Sequence, residues 1–77
     1  MKTLYLITIH DIILNTKDYF EKNNENDLNN LINKELKGWG NLQTASTSGI
    51  NDDSYCLSGI TKDKQKTFSI LKITFKN

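Results

Sequence analysis

Between residues 4 and 13 the chain reads LYLITIHDII, with Tyr5, Ile7 and Ile9 on one parity and Leu4 and Leu6 on the other. β-Branched and aromatic residues on both parities predict a first strand that is central in its sheet over its N-terminal half. His10 and Asp11 mark the point where that strand emerges toward solvent. The period then changes. Phe20, Leu28, Leu31, Ile32 and Leu36 follow at spacings of eight, three, one and four, which place them on one stripe of a helix. Asn15 and Thr16 suit its N-cap, Asp18 its first turn, and Lys34 and Lys37 its last turn. The spacing therefore predicts a helix over about residues 17–37. Its weak place is NNEN at 23–26, where no apolar residue falls on the stripe and helix propensity is low. In the alternative, a short first turn ends near Lys22 and Asn26 caps a second helix.

Gly38 falls where a helix ends in a left-handed residue, and Trp39 follows as the residue that folds back onto the helix or a sheet edge. Glycines that cradle phosphate precede a helix, so the order in KGWG is wrong for a P-loop or a dinucleotide fingerprint. Residues 41–47 read as a second strand of low apolarity, SGINDD at 48–53 as a turn, and 54–61, with Tyr55, Leu57 and Ile60, as a third strand. After a charged connection at 62–66, the last segment, TFSILKITFK at 67–76, puts Leu71, Ile73 and Phe75 on one parity and Phe68 and Ile70 on the other. A β-bulge near Ile70 restores one face; a short helix over 63–72 is the other explanation. The first gives an α+β fold of order βαβββ, an antiparallel sheet of about four strands with one main helix on one face. The second gives a compressed ferredoxin-like βαββαβ. The dominance of β-branched and aromatic residues favours the first.

Apolar residues make up 36% of the 77-residue chain, below the usual share, so the single small domain expected over 1–77 has a modest core. Ten lysines face nine acids, the net charge is +1, and there is no arginine. Arginine grips phosphate and guanine bidentately, so its absence argues against direct nucleic-acid binding. One cysteine, Cys56, excludes an intrachain disulfide, and with a single histidine it cannot close a zinc site, so no cofactor or metal is expected. The apolar N-terminal run is interrupted by His10 and Asp11, which argues against a signal peptide or a membrane span, and no membrane partner is expected. Ten asparagines and ten lysines without proline or arginine suggest an AT-rich bacterial or phage genome, and the single cysteine fits a reducing, intracellular setting, so the expected location is the cytoplasm of a bacterial host.

Few residues offer chemistry. His10 stands at a strand end as a candidate general base, and Cys56 forms a thiol–imidazole pair with it only if their strands are neighbours. Asp52 and Asp53 open like an acidic Ca²⁺ loop, but no closing glutamate follows. The stretch IHDI, then a helix, then GWGNLQ loosely resembles the Cas2-like and VapD-like small nucleases, which use a carboxylate at that strand end. The resemblance implies a metal-dependent nuclease centred on Asp11. Lys62, Lys64 and Lys66 offer a nucleic-acid contact of another kind, with affinity that falls steeply with salt.

Without a nucleophile, a metal set or a phosphate loop, the expected function is binding another protein, through aromatic anchors and an exposed edge strand. Trp39 and Tyr19 are the candidate anchors, and Glu25, Asp27, Asp52 and Asp53 are candidate phosphate mimics if they share a face. Size, Asn/Lys bias and lack of motifs are similar to those of inhibitors carried by phages and mobile elements, such as anti-CRISPR proteins, and of small immunity and antitoxin proteins. The expected partner is then a larger bacterial machine, with a CRISPR effector as the first candidate. An edge strand that binds a partner can also pair with its own copy, so a homodimer stays open.

Overall fold

The computed structural model describes residues 2–51 and 53–75. In chain order these form β1 (Lys2–Asp11), β2 (Thr16–Lys22), α1 (Glu25–Leu36), a single 3-10 turn (Trp39–Asn41), β3 (Leu42–Asn51), β4 (Ser54–Thr61) and β5 (Lys66–Phe75). The five strands make one sheet in the order β2-β1-β5-β4-β3. Every neighbouring pair is antiparallel. The fold is α+β, with five strands in place of about four and the order ββαβββ in place of βαβββ; the ferredoxin-like alternative is not what forms.

The extra strand comes out of the expected helix. Residues 16–22 pair with β1, Phe20 opposite Ile7 and Tyr19 opposite Thr8, while the turn at 12–15 ends β1 two residues earlier than the apolar pattern does. Asn15, expected near a cap, instead takes the left-handed conformation in that turn with φ 53°, which asparagine tolerates better than most residues. The helix starts only at Glu25. Asn24 caps it, its Oδ1 accepting the Asp27 amide at 2.8 Å, so the polar NNEN stretch is a helix start and not a weak middle. At the other end the left-handed residue is Lys37, φ 62°, one position before the expected Gly38. Gly38 takes φ 97° and its amide donates to the Ile32 carbonyl at 3.1 Å. Asn41 Nδ2 satisfies the Leu36 carbonyl at 3.0 Å.

Two further expectations are corrected. β3 runs through the polar stretch that reads as a turn, and β5 is one strand over Lys66–Phe75 with neither a helix nor a register shift at Ile70. The bulges lie in β3 instead, between Thr44 and Ser46 and between Gly49 and Asn51. The parity switch in β5 arises because the strand is apolar on both faces: Phe68 and Ile70 face the helix, and Leu71 and Ile73 face away.

The core lies between the helix and one face of the sheet. Tyr5, Ile7 and Ile9 of β1 and Phe68 and Ile70 of β5 are buried against Leu28, Leu31, Ile32 and Leu36, with Phe20, Leu42 and Leu57 packed around them. Each fully buried aliphatic side chain contributes about 1.5–3 kcal/mol, so these few positions carry most of the hydrophobic stabilisation. A single twelve-residue helix covers one face only. On the other face the register sets Leu4 beside Ile73, and Leu71 between Leu6 and Cys56.

Candidate protein-binding surface

The two edges of the sheet are built differently. β2 is seven residues long and carries Lys17, Asp18, Glu21 and Lys22. A short, charged edge strand resists pairing with another chain. β3 is ten residues long, LQTASTSGIN, and holds no charged side chain. Between its bulges, Ser46, Thr47, Ser48 and Gly49 lie in unbroken register with β4, and their other side faces solvent. This is an edge with small side chains and an unpaired row of backbone groups.

The bulge at the start of that stretch depends on β4. A Cβ at Gly59 would meet the Gln43 carbonyl oxygen at 2.0 Å and the Ala45 amide nitrogen at 2.9 Å. β3 therefore coils tightly over Gly59, and no larger residue leaves room for it.

Trp39 follows the helix and folds back along it, its Nε1 donating to Asn29 Oδ1 at 2.8 Å while 40% of the residue stays exposed. Tyr19 is 73% exposed on the face of β2 turned away from the helix. The two aromatic anchors lie on opposite faces of the sheet and do not combine into one patch. Three of the acids share one end of the sheet with Lys22 and Lys72. Glu25 and Asp27 open the helix, and Asp53 lies in the β3–β4 turn at the same end of the strands. Glu25 is near enough to β4 to help push the Tyr55 phenol up, after the larger effect of burial and that of Tyr5. Asp27 also accepts from Asn24 Nδ2 at 2.9 Å, so its carboxylate serves the helix cap as well. Asp52 lies outside the described residues.

The catalytic candidates have structural partners. Asp11 Oδ1 accepts the amides of Ile13 and Leu14, each at 3.0 Å, and closes the β1–β2 turn. His10 Nε2 lies 3.2 Å from Asn15 Oδ1 across the same turn. Cys56 and His10 are not a pair: β5 separates their strands, and Cys56 stands opposite Leu71 while His10 stands opposite Thr67. The offset is four residues along the strands and two strands across, about 13 Å by about 10 Å. Among the described residues no three His, Cys, Asp or Glu side chains converge on a metal position. The strand–helix order behind the nuclease resemblance is interrupted by β2.

At the β4–β5 turn, buried Thr61 donates its hydroxyl to Asp63 Oδ1 and accepts the Lys66 amide at 3.1 Å. That hydroxyl, then the Gln65 amide, hold the Asp63 carboxyl below the ordinary carboxylate range. Lys66 Nζ donates to the Glu35 carbonyl at 3.1 Å, so of the three lysines near this turn it is committed to the helix, while Lys62 and Lys64 are exposed.

Neither family models, nor curated proteins, nor solved structures give a match to this chain.

Proposed function

We propose that the protein is a protein-binding module that adds its β3 edge to a partner, and that it inhibits a larger bacterial protein or nucleoprotein machine, as phage and mobile-element inhibitors do. The observation that carries the reading is the contrast between the edges: charges guard β2, and ten consecutive residues of β3 carry none. Strand addition draws its affinity from main-chain hydrogen bonds, and small side chains such as Ser46, Thr47, Ser48 and Gly49 let a second strand approach. Inhibition of a nucleic-acid-handling target would draw on Glu25, Asp27 and Asp53 as phosphate mimics, against Lys22 and Lys72 at the same end of the strands. A CRISPR effector is the first target to test, in the cytoplasm of a bacterial host.

The experiment is target cleavage by a purified CRISPR effector, with the protein added at increasing ratio. Inhibition by the wild type, lost in Ser46→Lys/Ser48→Lys with the fold intact, is the expected result, because two lysines guard the edge as natural edges are guarded. Inhibition that survives this change but disappears on reversing Glu25, Asp27 and Asp53 moves the contact from the edge to the acidic end. No binding to any effector removes the target class. The same edge is open to a second copy, and a dimer that dissociates in the lysine variant identifies self-pairing as its use.

A further inference from the structure

The β1–β2 turn places three large aliphatic residues in water: Ile12 is 44% exposed, Ile13 70% and Leu14 71%. Tight turns usually carry Gly, Asn, Asp or Ser, so three consecutive aliphatics on a tip call for a partner phase. The tip is held in one shape. Asp11 Oδ1 takes the amides of Ile13 and Leu14, and the Ile12 amide donates to the Gln65 carbonyl at 2.9 Å. Three successive N–H groups are thus satisfied inside the protein, which lowers the cost of bringing this turn out of water.

The surroundings carry a small excess of lysine, Lys17, Lys62, Lys64 and Lys66 against Asp11, Asp18 and Asp63. Register puts Lys17 beside His10, and Asp11 beside Lys66 at the root of the β4–β5 turn, which carries exposed Lys62 and Lys64. Asp11 and Asp63 keep their negative charges while hydrogen-bonded within the two turns, Asp11 to the Ile13 and Leu14 amides and Asp63 to Thr61 and Gln65 with Lys37 Nζ at 3.7 Å. Asp18 is the acid that remains on the adjoining strand.

We propose that this tip docks the protein on an anionic membrane surface, with Ile12, Ile13 and Leu14 entering the boundary of headgroups and acyl chains and Lys17, Lys62 and Lys64 meeting lipid phosphates. Apolar insertion and lysine attraction are each weak alone and become sufficient together. A protein pocket is the poorer fit, because protein hot spots are enriched in Trp, Tyr and Arg, and this tip has none of them. Among the described residues no helix is long and apolar enough to cross a membrane, and docking needs none. Such docking departs from the expectation that the protein has no membrane partner. β3 lies at the opposite edge of the sheet and stays free for a protein partner.

The test is co-sedimentation of the full chain with vesicles of equimolar phosphatidylcholine and phosphatidylglycerol, against vesicles of phosphatidylcholine alone. The wild type is expected to bind the anionic vesicles, with affinity that falls as salt rises. Ile13→Ser/Leu14→Ser and Lys62→Gln/Lys64→Asn should each lose about tenfold or more. Both pairs are exposed, and asparagine suits the left-handed backbone of Lys64 at φ 60°, so circular dichroism should be unchanged. Absence of binding to anionic vesicles, or equal binding to neutral ones, overturns the proposal. It falls equally if the wild type ignores vesicles while the serine pair weakens inhibition of a protein target, since the tip is then a protein contact.

Discussion

Gly59 and Gln43 approach so closely across β3 and β4 that a Cβ on the first would lie 2.0 Å from the carbonyl oxygen of the second. Both sides of the contact are backbone, so no side chain can swing aside. Gly59→Ala must push β3 off the sheet at its bulge and should cost about 2–4 kcal/mol. Gly40 and Gly49 have nothing within 4 Å of the same construction, and alanine there should change stability by less than about 0.5 kcal/mol. Urea denaturation of the three variants checks this. A Gly59→Ala protein as stable as the wild type would mean that β3 is looser than its geometry and that its edge has no fixed shape to offer.

Asp11 separates two accounts of one carboxylate. As the acceptor for Ile13 and Leu14 it needs an oxygen and no charge. Asp11→Asn, which keeps that oxygen, should stay within about 0.5 kcal/mol of the wild type, whereas Asp11→Ala should lose about 1 kcal/mol and speed amide exchange at Ile13 and Leu14. A nuclease centred on Asp11 behaves differently, since both variants then abolish metal-dependent cleavage. Cleavage by the wild type that vanishes in Asp11→Asn would replace the turn account with a catalytic one.

Periodicity read the core well and the edges badly. Leu28, Leu31, Ile32 and Leu36 are spaced as one helical stripe and all four are buried; Tyr5, Ile7 and Ile9 alternate as a strand and are buried too. Phe20 misleads because eight residues before Leu28 is in phase for a helix, while Phe20 also faces the core from β2 opposite Ile7. A pattern in one chain cannot tell these apart, since the deciding contact is with another strand. Ile12, Ile13 and Leu14 hide the turn in the same way: they continue the apolar run of β1 past its end, and only Asn15 signals a reversal. Once that hairpin is missed, Tyr19 is placed on a helix, and nothing shows that it and Trp39 point to opposite faces. The unguarded character of β3 was within reach, because ten residues without a charge are visible in the sequence. Its position at an edge was not.

Asp63 ties acid stability to the β4–β5 turn. Its folded-state pKa lies below its ordinary value, chiefly through the Thr61 hydroxyl, so its contribution is complete above the carboxylate range and is lost as pH falls through the depressed pKa. Asp63→Asn should therefore narrow the stability gap between neutral and acidic pH, and wild type and variant should converge in acid. Thr61→Val should bring the Asp63 pKa back toward normal in a carboxyl NMR titration. The exposed contact with Lys37 matters little, and Lys37→Gln should leave most of the depression in place. A depression that depends on Lys37 and not on Thr61 would contradict this order of causes.

Tyr55 gives the alkaline counterpart and a ruler for the acidic end. Its phenol is raised above 10.0 first by burial, then by Tyr5, then by Glu25. A raised pKa means that the folded state holds the proton more tightly, so the stabilisation is whole below the ordinary phenol range and is lost as pH climbs through it to the folded-state value. Tyr55→Phe should remove a component of the tyrosinate absorbance that titrates above the ordinary phenol range and make stability less sensitive to alkali. Glu25→Gln should lower the Tyr55 pKa only slightly, because burial leads. That small shift matters beyond titration, since it exists only if the helix N-terminus lies close to β4, near Asp53. If Glu25→Gln leaves the Tyr55 pKa unchanged while Tyr5→Phe lowers it, the helix start stands farther from the β3–β4 turn. The three acids would then be too dispersed to present one face to a phosphate-lined channel, and the β3 edge alone would carry the binding.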